Sequence, residues 1–192
     1  MTDLRRLILM GVLAVVPALA GCVPVLLAGG ATAGYMFAED RRTSGVYVED
    51  QGIEFKASSR IRERYGDQVH INATSFNRVV LLTGEVPSEE AKAAVTEIVK
   101  SVENVRSVQN ETIVAGASAM SARANDAYTT SKVKSRLVGT KDLSATHIKV
   151  VTENNIVYLM GLVTHREADM ASEITRGTSG VLKVVRVFEY VD

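Results

Sequence analysis

Few residues in this sequence have the side-chain chemistry of a catalytic or metal site. The 192 residues include three histidines and a single cysteine. His70 and His147 stand 77 positions apart in similar surroundings, and His165 has no histidine or cysteine partner nearby. The carboxylates form no obvious acid–base pair, and the sequence has no zinc-protease helix motif, nucleophile elbow or phosphate loop. We therefore expect neither catalysis nor a bound metal or cofactor.

The single cysteine, Cys22, ends the sequence Leu-Ala-Gly-Cys, which resembles the cleavage and lipidation motif of bacterial lipoproteins. Two arginines precede the mostly apolar run 7–20, which is shorter than the about 20 residues of a membrane-spanning helix. The resemblance implies that residues 1–21 are a lipoprotein signal peptide and that Cys22 is lipidated after cleavage. The alternative is that Cys22 is a small buried apolar residue.

The residues after Cys22 bear on where such a lipoprotein would reside. Residue 23 is valine rather than the aspartate that commonly retains lipoproteins in the inner membrane. We therefore expect an outer-membrane protein that is lipid-anchored and faces the periplasm. Residues 22–47 are expected to be the lipidated cysteine and a linker, which becomes polar at 39–45.

The overall charge is balanced. The whole chain has 22 basic and 22 acidic residues, and residues 22–192 have 20 and 21. A net charge of −1 gives no bulk electrostatic attraction to nucleic acid, so we expect no nucleic-acid partner.

The second half of the sequence repeats the first. Residues 70–86 align with 147–163, and the offset of 76 or 77 positions continues on both sides. Hydrophobic periodicity and turn residues predict a helix, two strands, a helix and a strand in each unit. A capping box of Thr164 and Glu167 marks one helix start. The predicted ranges are 50–64, 69–75, 78–86, 88–102 and 105–114, then 126–138, 147–152, 155–163, 165–178 and 181–191.

This order predicts an α+β fold in which each unit packs a three-stranded mixed sheet on two helices. The central strand ends in Leu-x-Gly-x-Val, at 82–86 and again at 159–163. The strand order and these motifs resemble the BON domain family. The resemblance predicts two tandem BON domains, at 48–115 and 124–192, in the arrangement of dual-BON outer-membrane lipoproteins.

The two units differ most in the charge of their first helix. Residues 123–141 contain five basic side chains and one acidic one, for a net charge of +4. The matching window, 47–65, contains four of each and is neutral. At 100° per residue, Thr130, Val133 and Leu137 should share the buried face of the basic helix, which leaves a neighbouring face exposed.

The family resemblance implies that this exposed face contacts anionic phospholipids, with Tyr128 at the position of a membrane-inserted tryptophan. An aromatic ring beside cations suits the membrane interface. The expected lipid-binding residues are Tyr128, Thr129, Lys132, Lys134, Ser135 and Arg136. The resemblance further implies support of envelope integrity, recruitment to division sites and assistance to the outer-membrane protein assembly machinery.

Two other interpretations stay open. A basic helix face is commonly just solvated. A second hypothesis is a periplasmic protein-binding or chaperone-like BON module, with partners at the sheet edges or at exposed faces near Tyr65 or Tyr158.

Overall fold

The computed structural model describes residues 40–192, which belong to one compact unit. The expected signal peptide, Cys22 and most of the expected linker lie outside the described residues. All structural statements below concern residues 40–192.

Each half of this unit contains the predicted order of elements. Both first helices begin earlier than predicted, at Ser44 and Met120. The last strand of the first half is interrupted at residues 111–112. The elements of the first half are α1 (Ser44–Tyr65), β1 (His70–Phe76), β2 (Val79–Val86), α2 (Glu89–Lys100), β3 (Ser107–Asn110) and β4 (Ile113–Val114). Those of the second half are α3 (Met120–Val138), β5 (Ile148–Glu153), β6 (Ile156–Val163), α4 (His165–Arg176) and β7 (Lys183–Tyr190).

Both sheets are mixed, which confirms the predicted α+β class. In the first, β2 is central, with β1 antiparallel on one side and β3 and β4 parallel on the other. In the second, β6 is central between antiparallel β5 and parallel β7. The capping box of Thr164 and Glu167 is present at the start of α4, as predicted.

Each sheet packs one face on its own two helices. In the first domain, Ile53, Ala57 and Ile61 of α1 meet Val80 and Leu82 of β2, together with apolar residues of α2. The second domain has a matching core between α3, α4 and the central strand β6. Alternate residues of a strand point to opposite faces, so these cores use only half of each central strand.

The remaining faces of the two sheets pack against each other. Phe76 and Leu81 of the first domain form a third buried cluster with Tyr158 and Met160 of the second. Tyr158 is only 3% exposed, so the expectation of a partner surface near Tyr158 is wrong. Burial, together with the charges of Glu111 and Glu153, raises the pKa of Tyr158 to about 12. The helices therefore lie outside and the two sheets lie inside.

A buried aspartate on each first helix stabilises the adjacent hairpin. Asp126 accepts hydrogen bonds from the backbone N–H groups of Asn154 and Asn155, both at 2.9 Å. Both asparagines have positive φ, as a tight two-residue hairpin requires. In the first domain, Asp50 accepts from the equivalent N–H groups of Asn77 and Arg78, each at 2.8 Å. The repeated aspartate therefore positions the hairpin against the helix.

The repeated glycines of the central strands allow a close backbone approach. A Cβ at Gly84 would lie 2.0 Å from the carbonyl oxygen of His70, and one at Gly161 would lie 2.4 Å from that of His147. Gly84 also has a positive φ of 111°. These positions have room for hydrogen only.

The described end of the expected linker is bound to both domains. The Arg42 guanidinium bonds to Asp50 at 2.9 Å and lies 3.9 Å from the centroid of the Phe76 ring. Arg41 reaches the second domain, where it pairs with Glu167 at 2.7 Å. Because α1 itself begins at Ser44, residues 41–47 are part of the folded unit.

Candidate functional site

The buried face of α3 determines which of the predicted lipid-binding residues can reach solvent. Its buried residues are Asp126, Thr129, Val133 and Leu137, spaced three or four positions apart. Thr129 is 0% exposed, so the expectation that Thr129 contacts lipid is wrong in this conformation. Thr130, expected on the buried face, is only half-buried and bonds to Thr152. The helix is therefore rotated slightly from the orientation that we expected.

The other predicted residues of α3 are exposed or half-buried rather than part of the core. Tyr128 is 64% exposed, and Lys134, Ser135 and Arg136 are exposed as well. The Lys132 ammonium lies 4.7 Å from the centroid of the Tyr128 ring, within cation–π range. The structure thus brings an exposed aromatic ring together with Lys132 and Arg136 on one surface, which we call the basic face of α3. At 100° per residue, Lys134 lies about 160° around the helix from both of these cations.

An open cleft of about 570 Å³ lies between α3 and the loop that follows α4. Lys132 Nζ donates to the carbonyl oxygen of Ser179 at 2.5 Å, and Arg136 Nη1 donates to Thr178 Oγ1 at 2.8 Å. Ser131 and Ser135 add hydroxyl groups to the lining. Two cations and several hydroxyls are donors that a phosphate group can accept from.

The equivalent positions of α1 show what is particular to α3. Lys56 occupies the position of Lys132, 76 residues earlier, and forms an ion pair with Glu103 at 2.9 Å. In the second domain Ser179 stands at the position of Glu103, so Lys132 bonds to a neutral group instead. The charge of Lys132 is therefore not neutralised by its partner.

The basic residues of α3 also lack acidic partners among residues 40–192. Within residues 40–192, no carboxylate forms an ion pair with Lys132, Lys134 or Arg136. The position of Tyr128 is occupied in α1 by Gly52, which has no side chain. The basic charge and the exposed aromatic ring therefore occur together only in the second of the two first helices.

One exposed apolar residue near the basic face was missed by the sequence analysis. Leu182, in the loop between α4 and β7, is 80% exposed. A Cβ on Gly180 in the same loop would lie 3.1 Å from Thr129 Oγ1 and 3.2 Å from Lys132 Nζ, so this loop packs directly on α3. Periodicity could not reveal Leu182, because it lies between elements rather than on a helix face.

The three histidines lie in separate places, each beside a carboxylate. His70 is 3.6 Å from Glu153, and the His147 and His165 rings face Glu167 and Asp192, at 3.4 and 2.8 Å respectively. The His165 ring also stacks on a tyrosine at the end of β7. None of these pairs lies on the basic face of α3.

Among the helices of residues 40–192, none is both long enough and sufficiently apolar to cross a bilayer.

The BON domain family model matches twice, at residues 49–116 and 125–192. The chain belongs to the BON family. Its two BON domains correspond to the two halves of the repeat, each with the fold described above.

Several curated proteins are similar over most of the chain. "Outer membrane lipoprotein DolP" of Haemophilus influenzae is 37% identical over 176 residues, which are 91% of both chains. "21 kDa hemolysin" of Actinobacillus pleuropneumoniae is 30% identical over 79% of both chains. "Osmotically-inducible protein Y" of Escherichia coli is 28% identical over 73% of this chain and 72% of that protein. The chain is thus a dual-BON protein of the DolP type.

Proposed function

We propose that this dual-BON protein is an outer-membrane lipoprotein, and that its second BON domain binds anionic phospholipids through the basic face of α3. The observation that carries the proposal is the exposed Tyr128 ring beside the unneutralised Lys132 ammonium. A tyrosine ring suits the headgroup region because it combines an apolar body with a polar hydroxyl. Arg136, one turn after Lys132, extends the positive charge along the same face, and Lys134 adds positive charge on another side of the helix.

Leu182 would add an apolar contact to the proposed membrane-binding surface. It lies in the loop that packs on α3, and its side chain is 80% exposed. Inserted at the depth of the Tyr128 ring, Leu182 would remove apolar area from solvent, while the cations bind phosphate groups above it.

The proposed contact is weak, and an anchor would make it effective. Each cation near an anionic leaflet contributes about 1 kcal/mol, so Lys132 and Arg136 together give only loose binding. Lipidation of Cys22 would hold the domain at the membrane and make the second contact intramolecular. Arg41 lies 19 positions after Cys22, a distance of at most about 65 Å when extended. The name of the DolP relative supports the outer-membrane location of this anchor.

Vesicle co-sedimentation of an unlipidated fragment tests the lipid contact. Residues 22–192 contain the whole described unit, so this fragment keeps every core described above. We expect binding to vesicles that contain phosphatidylglycerol and much weaker binding to phosphatidylcholine. Equal binding to both vesicle types would contradict the proposal.

The repeat supplies a matched control for the charges. Lys132→Glu with Arg136→Glu should abolish most of the binding to anionic vesicles. Lys56→Glu with Arg60→Glu changes the net charge equally at the equivalent positions of α1, and should leave most binding intact. If the two double variants lose binding equally, overall charge rather than the basic face of α3 explains the attraction.

We extend the proposal to a role in envelope integrity, at division sites and beside the outer-membrane protein assembly machinery. The alternative is a protein-binding or chaperone-like module, and one observation favours it. Val48 and Phe55 of α1 are 68% and 76% exposed and lie two helical turns apart. Crosslinking in intact envelopes distinguishes the two functions. Under the lipid proposal, Tyr128→Ala should reduce membrane contact, whereas a protein site at α1 requires that Phe55→Ala removes partners.

A further inference from the structure

Three side chains with metal-binding atoms meet at the seam between the two domains. His70 is the first residue of β1, and Glu85 is its direct partner on the antiparallel strand β2. Glu153, the last residue of β5, comes from the second domain. One ligand atom of each of the three side chains lies within 4.8 Å of the other two. The two domains therefore build this cluster jointly.

Both carboxylates of the cluster are deeply buried. Glu85 is 2% exposed and Glu153 is 5% exposed, whereas His70 is half-buried. Burying an ionised carboxylate costs on the order of several kcal/mol, because the group loses its hydration. A nearby positive charge or a set of hydrogen bonds can compensate for this loss. Two neighbouring buried carboxylates also repel each other, so a positive group between them would be stabilising.

The hydrogen bonds around the carboxylates come from neutral donors only. Glu153 Oε2 accepts from Asn72 Nδ2 at 2.9 Å and from Thr83 Oγ1 at 3.2 Å. Glu85 accepts from Asn154 Nδ2 at 2.8 Å and from the backbone N–H of Ser118 at 3.1 Å. These donors fix the orientation of both carboxylates but contribute no charge.

Within residues 40–192, no lysine or arginine forms an ion pair with either carboxylate. The only basic partner at ion-pair distance is His70, whose Nε2 lies 3.6 Å from Glu153 Oε1. Arg123 lines the cleft beside His70, but its Nε donates to Ser118 Oγ instead. Among these residues, only the His70 imidazole or a bound cation can therefore balance the negative charge of the two carboxylates.

We infer that His70, Glu85 and Glu153 form a binding site for a divalent cation of the zinc class. Imidazole nitrogens and carboxylate oxygens are both zinc ligands, and three protein ligands with water in the fourth position are one arrangement that zinc adopts. The cation would neutralise the buried carboxylates and link β1 and β2 of the first domain to β5 of the second. Its role would be to hold the two sheets together.

An open cleft gives the cation a route to the site. It measures about 430 Å³ and is lined by His70, Asn72 and Arg123, among other residues. The half-buried His70 ring is the ligand that an ion arriving through this cleft would meet first.

The equivalent positions in the opposite half of the repeat do not form such a ligand set. The residues equivalent to His70, Glu85 and Glu153 in the opposite half are His147, Leu162 and Phe76. The two apolar residues cannot bind a metal, and the His147 ring faces Glu167 instead. The repeat therefore provides one complete ligand set and one that keeps only the histidine.

Zinc titration by isothermal calorimetry tests this inference, which does not depend on the lipid-binding proposal. The chain from residue 22 to 192 is used without a histidine tag and with Cys22→Ser, because a free thiol would itself bind zinc. We expect one Zn²⁺ per chain and a zinc-dependent rise in melting temperature. The absence of saturable binding would overturn the proposal.

Variants locate the ion. His70→Gln, Glu85→Gln and Glu153→Gln should each weaken zinc binding by at least about tenfold and remove the rise in melting temperature. His147→Gln, the matched control, should bind zinc as the unaltered chain does. If a carboxylate variant does not fold, His70→Gln still decides the question, since its ring is half-buried and contributes little to the core. Unchanged binding in His70→Gln, or equal loss in His147→Gln, contradicts the assignment.

Discussion

Lys132 and Tyr128 lie one turn apart on α3, with the Lys132 ammonium 4.7 Å from the centroid of an aromatic ring that is 64% exposed. The same helix buries Thr129 between them and turns both side chains toward solvent. The pair therefore presents an aromatic ring and a positive charge to the same surface.

The first prediction concerns the size of this ring. Tyr128→Trp should strengthen binding to phosphatidylglycerol vesicles about fivefold, because the larger ring buries more apolar area, by about 1 kcal/mol. Tyr128→Ala should weaken it, and Phe55→Ala, which removes an exposed ring from α1, should not. Vesicle titrations of the fragment 22–192 give the affinities. Loss of binding in Phe55→Ala would show that α1, rather than α3, contacts the membrane.

Leu182 provides a second prediction for the same surface. Leu182→Ser should weaken vesicle binding by about tenfold, since the about 1.5 kcal/mol gained by burying a leucine side chain is lost. The fold should be unaffected, because this side chain is 80% exposed. Val48→Ser removes an equally exposed apolar residue from α1 and is the control. Unchanged binding in Leu182→Ser would restrict the contact to α3 itself.

The third prediction concerns the buried aspartate of the second domain. Asp126→Ala leaves the N–H groups of Asn154 and Asn155 without their acceptor, which should lower the free energy of unfolding by about 2–4 kcal/mol. Asp126→Asn keeps one carbonyl acceptor and should cost less. Urea denaturation measures both values. If both variants were as stable as the unaltered chain, the side-chain oxygens of Asp126 would not support the hairpin.

Gly84 and Gly52 provide an opposed pair of predictions. Gly84→Ala places a Cβ 2.0 Å from the carbonyl oxygen of His70 and should strongly destabilise the first domain. Gly52→Ala, in the middle of α1 with no atom within 4 Å of its Cβ, should stabilise the helix by up to about 1 kcal/mol. Thermal unfolding should therefore move in opposite directions in the two variants. An unchanged or raised melting temperature in Gly84→Ala would contradict the close approach of β1 and β2.

The last prediction is a pH dependence of stability. Burial disfavours ionisation of Glu167, but hydrogen bonds from Arg41 and from the backbone and hydroxyl groups of Thr164 outweigh it and lower its pKa to about 2. A carboxylate whose pKa is lowered by folding stabilises the protein fully above its unfolded value of 4.5. That stability is lost as the pH falls from there through about 2.

Urea unfolding between pH 2 and pH 6 checks this contribution. Arg41→Ala should reduce the loss of stability in acid, because Glu167 then titrates closer to its ordinary value. Glu173→Gln, an exposed position on the same helix, should leave the pH profile unchanged. If Arg41→Ala also leaves it unchanged, Arg41 is not the group that favours the charged form of Glu167.

Local signals in the sequence determined the order and the type of the elements. Hydrophobic periodicity, turn residues and the capping box of Thr164 identify the elements of the two repeats, and the repeated glycines mark the ends of the central strands. Charge counting identified α3 as the basic helix. These features depend on near neighbours in the chain, which is why the sequence alone predicts them.

Only the tertiary structure decided how the two domains meet. Leu81 and Tyr158 lie on strands that are apolar on both faces, and an apolar face does not specify what covers it. The rotation that buries Thr129 rather than Thr130 depends on the packing of α3 against its sheet and the loop after α4. Glu85 and Glu153 are 68 positions apart in sequence and become neighbours only because the two sheets pack face to face.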